Sequence, residues 1–176
     1  QTIAVMLELV QGEGGIHVAS KEYVRRLRRI CDERDLLLIF DEISSGIGRT
    51  GTLFCFQQYG VKPDILLLAK PAAGGLPIGI LQAGPRCSDI WEKASHATTF
   101  GGNPLVTAAA LATLETVLKK GFLSNARKQA AYLRKKLERL REKHPMVREV
   151  RGLGFMLGVQ LDRPGAPVVQ EALQRG

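Results

Sequence analysis

The sequence has 176 residues, enough for one domain with a buried core, and its 45% hydrophobic and 24% charged residues are ordinary for a soluble globular protein. No apolar run reaches the length of a membrane span, so no membrane partner is expected. The formal net charge of +8 raises the question of nucleic-acid binding. However, the basic residues concentrate in 119–151, where apolar residues recur at helical spacing. This pattern indicates the solvated face of an amphipathic helix, and no nucleic-acid partner is predicted.

The cysteines bear on metal binding and on the cellular compartment of the protein. Cys31, Cys55 and Cys87 are an odd number, and their spacing is not that of a metal site. No metal is therefore predicted, and a reducing compartment is expected. Neither terminus resembles a targeting signal. The predicted location is the cytoplasm, or an organelle matrix if a targeting segment is absent from this chain.

Apolar runs alternate with a helical pattern in the first part of the chain. Residues 3–10 predict a strand, and Ser20 is a suitable N-cap for a helix over 21–34. The run at 36–41 predicts the next strand, so the strand–helix–strand order predicts a parallel sheet. Strands are also predicted at 65–69 and 78–83, and the short turn between them requires an antiparallel pair.

Helices dominate the second part. A short helix is predicted at 88–93, a longer one from Pro104 to residue 119, and an amphipathic one at 123–143. Two strands (147–151 and 155–161) and the start of a helix (167–174) follow. The predicted fold class is α/β. A mostly parallel sheet with flanking helices occupies 1–120, and the start of a smaller α+β domain occupies 121–176.

One apolar run ends in a lysine. Residues 65–69 lead directly to Lys70, and Pro71 with the Gly74-Gly75 pair predicts a sharp turn after it. A lysine at a dry sheet end would lose hydration, which favours the neutral amine that attacks carbonyl groups. The alternative is a lysine that extends into solvent, and Lys70 alone does not decide between them.

Asp41 ends the preceding predicted strand in the same way. Ligands of open α/β sheets bind outside the carboxyl ends of the strands, so Asp41 and Lys70 are expected at one edge. A carboxylate beside a pyridinium nitrogen and a lysine on an aldehyde are what pyridoxal phosphate requires from a protein.

A series of motifs extends this pattern along residues 3–161. In chain order they are LELVQGEGG, FDEISSGIGRTG, PDILLLAKPAAGGLPIG, TTFGGNP and VRGLGFMLGVQL. They resemble class III pyridoxal-phosphate-dependent aminotransferases, most closely the acetylornithine aminotransferases within the ornithine aminotransferase-like group. The resemblance implies an internal part of a subunit. Residues 1–120 would be the second half of the cofactor-binding large domain, and 121–176 the linking helix and the start of the small domain.

The resemblance also implies roles for individual residues. Lys70 matches the lysine that binds pyridoxal 5′-phosphate covalently and then moves a proton, and Asp41 matches the acid beside the ring nitrogen. Thr99 matches a threonine that donates to the phosphate of the neighbouring subunit, which implies a homodimer with shared sites. The alternative for Thr99 is a turn threonine bonded to its own backbone. Glu13 matches a substrate-side glutamate, with a solvated loop acid as an equal alternative.

Two positions depart from the family pattern. Ser44 stands where the family usually has a glutamine that reaches the cofactor ring hydroxyl, and the shorter serine would need a bridging water. Pro71 replaces a small flexible residue and should push Lys70 away from helical backbone angles. Separately, Glu8 lies within a predicted strand and, if buried, needs a structural partner.

Two interpretations of function remain open. The first is an aminotransferase of arginine biosynthesis that moves an amino group between an N-acylated ornithine and 2-oxoglutarate, or a class III relative acting on ornithine, 4-aminobutyrate or another ω-amine. The second is a truncated, non-catalytic homologue that serves as an interaction module. The family's main phosphate loop and carboxylate-binding arginine have no match here, so residues 1–176 alone are expected to be inactive.

Overall fold

The computed structural model describes residues 2–90 and 92–175, with the backbone alone described for 88–90. Its helices and strands are β1 (Ala4–Glu8), α1 (Lys21–Glu33), β2 (Leu37–Asp41), β3 (Ile65–Leu68), β4 (Ile80–Ala83), α2 (Pro104–Val117), α3 (Phe122–Lys143), β5 (Val147–Leu153), β6 (Met156–Leu161) and α4 (Ala166–Arg175). Short 3-10 helices lie at Cys55–Gln58, Lys70–Ala73 and Pro85–Ile90. Within the described ranges, no helix combines the length and the apolar character needed to cross a membrane.

The main sheet has the order β1-β2-β3-β4. The first three strands are parallel and β4 is antiparallel to β3, which confirms the predicted mostly parallel α/β sheet. The register places Glu8 of β1 beside Asp41 of β2, and Asp41 beside Leu67 of β3. The carboxyl ends of the three parallel strands therefore lie together, and we call this boundary of the sheet the site edge.

The predicted first helix is confirmed. It begins after Ser20, whose Oγ accepts a hydrogen bond of 3.1 Å from Tyr23 N. Val24 and Cys31 lie on the buried face of α1 and pack into the main core, which also contains Phe40 of β2. This packing covers one face of the parallel strands and fixes α1 as their crossover helix.

Asp64 stabilises the end of the sheet opposite the site edge, where β2 and β3 begin. Its carboxylate accepts hydrogen bonds from Leu38 N at 2.7 Å and Arg28 Nη1 at 2.8 Å, and it pairs with Arg86 at 3.3 Å. Burial opposes ionisation, but the hydrogen bonds from Leu38 and Arg28 and the charges of Arg28 and Arg86 together lower the pKa of Asp64. Because Leu38 lies in β2, Arg28 in α1 and Asp64 directly before β3, this carboxylate ties three elements together.

Several predicted ends differ from the structure by two residues: β4 begins at Ile80 and not at residue 78, α2 ends at Val117 and not at residue 119, and β5 extends to Leu153 and not to residue 151. Two further differences have a clear cause. The short helix expected at 88–93 is instead the 3-10 helix Pro85–Ile90, and residue 91 lies outside the described residues. Proline suits the start of a helix because its missing N–H needs no partner there. The first strand ends at Glu8 and not at residue 10, since the chain then folds back and Val10 forms an isolated antiparallel bridge with Val18.

The β5-β6 pair forms a separate antiparallel hairpin. It packs against loops of the site edge at Gly154, where an added Cβ would lie 2.5 Å from Thr50 Cα. Phe155 N donates a hydrogen bond of 2.9 Å to Arg49 O, and Arg151 Nε donates one of 2.6 Å to Gly15 O. The hairpin thus contacts both the loop after β1 and the loop after β2.

Candidate active site

Loops that follow the three parallel strands converge around Lys70. Its Nζ donates a hydrogen bond of 2.6 Å to Ser44 Oγ, in the loop after β2. Gly12, in the loop after β1, lies against the same serine, because an added Cβ there would be 3.2 Å from Ser44 Oγ and 3.5 Å from Glu8 Oε2. The fold therefore brings an amine, a hydroxyl and a carboxylate from three strands to one place.

Lys70 has an unusual backbone conformation. Its φ is +24°, which is outside the helical range as predicted for the residue before Pro71, but it is positive and so differs from the extended conformation that a following proline favours. Such a conformation costs a non-glycine residue about 1–3 kcal/mol, and strain of this kind concentrates at functional sites. The turn is held in place because Ala73 packs against Val106 and Ala110 of α2 in a buried cluster.

The surroundings of Lys70 differ from the prediction. The strand before it is dry, with Leu66 and Leu68 buried, but the Lys70 side chain is exposed, so the predicted dry sheet end was wrong. The turn after the strand runs outward and leaves an open cavity of about 500 Å³ beside the lysine. Its lining residues are Lys70, Gly75, Leu76, Pro77, Ile78 and Gly79. Of these described lining residues, Lys70 is the charged one, and the others are glycine, proline and aliphatic residues.

Two carboxylates lie at the carboxyl ends of β1 and β2, at the site edge. Asp41 Oδ1 accepts a hydrogen bond of 2.9 Å from Ile43 N, which orients the half-buried carboxyl group at the end of β2. Glu8 Oε2 accepts one of 2.8 Å from Gly12 N, so the structural partner predicted for Glu8 is a backbone amide. Both groups belong to paired positions of neighbouring strands.

A third carboxylate, Glu42, was not predicted from the sequence. It is 1% exposed and accepts hydrogen bonds from Cys55 N at 2.6 Å and Phe56 N at 2.7 Å. Burial raises its pKa to about 6, and the two hydrogen bonds only partly offset this. A second acid directly after an apolar strand was the available signal, because an acid at that position must find partners once it is buried.

The structure does not bring Thr99 or Glu13 to Lys70. Both side chains are exposed in loops, and among the contacts of the described residues none joins either one to Lys70 or Asp41. The turn-stabilising role considered for Thr99 is filled by its neighbour Thr98, whose Oγ1 accepts a hydrogen bond of 3.2 Å from Gly101 N.

Comparison with known proteins gives the family. The sequence model of "Aminotransferase class-III" matches residues 1–176. The chain belongs to this family. It is 50% identical, over 177 aligned positions, to the acetylornithine aminotransferase of Caldanaerobacter subterraneus subsp. tengcongensis, and the match covers 100% of this chain and 45% of that protein.

Solved structures agree with this class-III assignment. The N-acetylornithine aminotransferase of Stenotrophomonas maltophilia K279a superposes with a TM-score of 0.87 at 39% identity, covering 99% of this chain and 46% of that one. An ornithine aminotransferase of Toxoplasma gondii superposes with a TM-score of 0.84 at 39% identity, covering 90% and 38%, and it is described with partial occupancy of PLP at its active site. The chain spans about half the length of the relatives that it matches. The predicted family resemblance and fold class are thereby confirmed.

Proposed function

We propose that this chain forms the lysine-bearing part of a pyridoxal 5′-phosphate-dependent aminotransferase that moves an amino group between an N-acylated ornithine and 2-oxoglutarate. The Lys70–Ser44 hydrogen bond at the site edge, with Asp41 at the end of the adjacent strand, carries the proposal. The 50% identity to an acetylornithine aminotransferase supports the substrate class. The PLP at the active site of the Toxoplasma relative supports the cofactor.

The residues present fit this cofactor. Its aldehyde requires a primary amine, and Lys70 presents one beside an open cavity of about 500 Å³. Its ring nitrogen requires a carboxylate, and Asp41 is oriented at the same edge by Ile43 N. Ser44 accepts a hydrogen bond from the amine, and it would reach the ring hydroxyl through a bridging water.

Each side chain then has a defined task. When bound, pyridoxal phosphate supplies the electron sink that stabilises negative charge at the substrate Cα. Lys70 would hold the cofactor, and its amine, once released, would take the proton from the substrate Cα as a general base and deliver it as a general acid to the cofactor carbon that carried the aldehyde. The negative charge of Asp41 would keep the ring nitrogen protonated. Ser44 orients the lysine amine through its hydroxyl group.

Thr99 and Glu13 belong to the outer parts of the proposed site. Thr99 is exposed beside Phe100, which is 80% exposed, and Leu105 is 71% exposed at the start of α2. Large exposed apolar side chains favour an interface, which supports a homodimer in which Thr99 donates to the phosphate of the partner's site. We assign Glu13 to the substrate side, in the loop that Arg151 holds through Gly15 O.

Ornithine without an acyl group is the second candidate donor. An ornithine aminotransferase shares this fold with a TM-score of 0.84, so the shared architecture accommodates that substrate class. We further propose that residues 1–120 belong to the cofactor-binding domain and 121–176 to the start of the small one. Residues 1–176 by themselves then lack part of the site.

The test is an assay of the intact protein that contains this chain. Pyridoxal phosphate and 2-oxoglutarate are supplied with N-acetylornithine, ornithine or 4-aminobutyrate. We expect the highest kcat/KM with N-acetylornithine, no turnover by Lys70→Ala, and unchanged turnover by Lys62→Ala, whose lysine is exposed before β3. Turnover by Lys70→Ala equal to wild type contradicts the proposed site. Turnover with ornithine alone supports the second candidate. The 176-residue chain alone should give no turnover.

A further inference from the structure

The loop after β2 is closed by one buried side chain. Glu42 begins this loop, and its Oε2 and Oε1 accept hydrogen bonds from Cys55 N and Phe56 N, where the next 3-10 helix starts. Hydrogen bonds to a carboxylate are stronger than those between neutral groups. The carboxylate therefore joins the two ends of the segment 42–56.

The backbone around Glu42 is equally constrained. Its N–H donates to Leu67 O of β3 at 2.9 Å, and its carbonyl accepts from Gly46 N at 2.9 Å. Gly46 leaves no room for a side chain, because an added Cβ would lie 2.9 Å from both Glu42 O and Leu68 Cδ2. Ser44 lies inside this short turn, between Glu42 and Gly46.

We propose that Glu42 is a positioning residue, which closes the loop after β2 and thereby holds Ser44 against Lys70. This inference rests on the proposed function, since it gives the Ser44–Lys70 pair a role in binding pyridoxal phosphate. Glu42 itself contacts neither the lysine nor the cavity beside it.

The short distance between Ser44 and Lys70 explains why the loop after β2 must be held in place. Serine is short, so its hydroxyl reaches Lys70 Nζ at 2.6 Å only while the backbone of the turn stays in place. A displacement of about 1 Å brings the pair beyond hydrogen-bond distance. Because the lysine stem is flexible, its amine either loses this partner or follows it to a new place, so the position of Ser44 sets the position of the amine.

Four variants separate positioning from general damage. Glu42→Gln keeps the shape but places an amide donor opposite one of the two backbone donors, and Glu42→Asp keeps the charge with a shorter reach. Ser44→Ala removes the hydroxyl group through which Glu42 is proposed to act. Gln57→Ala is the matched control, since Gln57 Oε1 accepts a hydrogen bond of 3.0 Å from Phe54 N in the same segment but on its exposed side.

The first readout is the affinity of the intact protein for pyridoxal phosphate, measured by absorbance titration. We expect each Glu42 variant to weaken binding at least about fivefold, the scale of one lost hydrogen bond, and Gln57→Ala to leave it unchanged. In the Ser44→Ala background, Glu42→Gln should add no further loss. An equal loss in both backgrounds, or no loss with Ser44 present, overturns the inference.

The second readout is amide hydrogen exchange without cofactor. Glu42→Gln should speed exchange at Cys55 and Phe56, because one of these amides loses its acceptor and the other keeps only a neutral one, and also at Gly46, on the Ser44 side of the loop. Faster exchange at Cys55 and Phe56 alone overturns the inference, because the closure would not reach Ser44. Failure of the wild type to bind pyridoxal phosphate contradicts the proposed function, while the exchange measurement still decides the role of Glu42.

Discussion

Lys70 Nζ donates a hydrogen bond of 2.6 Å to Ser44 Oγ, and this contact joins the turn after β3 to the loop after β2. The lysine is exposed and its backbone is strained, whereas the loop that carries the serine is anchored on the buried Glu42. An exposed amine therefore meets a partner on an anchored loop. Pre-organisation of this kind reduces the cost of holding the amine in place when a ligand binds.

Asp41→Asn should separate cofactor binding from catalysis. The amide cannot keep the ring nitrogen protonated, so the electron sink weakens, while Lys70 still holds the cofactor. We expect a loss of at least about a hundredfold in the rate of a single half-transamination, the scale of one lost electrostatic stabiliser. Stopped-flow absorbance measures this rate. A rate within a few-fold of wild type would show that Asp41 does not serve the ring nitrogen.

Glu42 should make stability depend on pH. Its pKa in the folded protein is about 6, raised from 4.5, so folding favours the protonated form. That contribution is complete below about pH 4.5 and is lost as the pH rises through 6, which lowers the free energy of unfolding by roughly 2 kcal/mol. Cys55 and Tyr59 face Glu42, but burial raises the pKa of each thiol or phenol far above this range, so both stay neutral.

Urea unfolding of the wild type and Glu42→Gln between pH 4.5 and 7 measures this effect. The difference between the two proteins isolates Glu42, because all other groups titrate equally in both. We expect the wild type to lose stability relative to the variant as the pH rises. A pH-independent difference would mean that Glu42 ionises normally in the folded chain.

The backbone strain at Lys70 predicts an inverted order of stability. At φ +24° a Cβ is unfavourable, so Lys70→Gly should be more stable than Lys70→Ala by about 1 kcal/mol. Lys62 is exposed and does not have a positive φ, so there Lys62→Gly should be less stable than Lys62→Ala. Thermal unfolding of the four variants tests this. The same order at both positions would contradict strain at Lys70.

Asp64→Asn should lower the free energy of unfolding, because Asp64 joins elements at the end of the sheet opposite the site edge. The variant removes one of the two charged partners of Arg28, which keeps Asp32 at 2.8 Å, and it weakens the hydrogen bond from Leu38 N, so we expect a loss of about 1.5–3 kcal/mol. Asp162→Asn is the matched control, because the ion pair of Asp162 with Arg163 lies at the surface, and this variant should lose little stability. Urea unfolding provides the comparison, and equal losses for the two variants would contradict a special role for Asp64.

The sequence predicted those features that depend on local pattern. Ser20 marked the start of α1, and the short connection before β4 implied its antiparallel direction, because both follow from rules that act within a few residues. The placement of Asp41 and Lys70 at the same end of neighbouring strands followed from strand order alone, and their roles stay predictions. Class-III membership was recognisable because the motifs occur in one order along nearly the whole chain.

Features that depend on packing between distant segments were not predicted. The exposure of Lys70 depends on how the turn after β3 leaves the sheet, and the burial of Glu42 depends on a segment 13 positions further along the chain. The hydrogen bonds of the Asp64 carboxylate join α1, β2 and the residues before β3, so no single stretch of sequence reveals them. The roles of Thr99 and Glu13 stay predictions.

The central claim is that Lys70 is the lysine that binds the cofactor. The most direct measurement is to add pyridoxal phosphate to the intact protein, reduce it with borohydride, digest it and locate the modified lysine by mass spectrometry. We predict a single modified peptide that carries Lys70, loss of that label in Lys70→Ala, and full labelling in Lys62→Ala. A stoichiometric label on any other lysine, or labelling that persists in Lys70→Ala, would contradict the account.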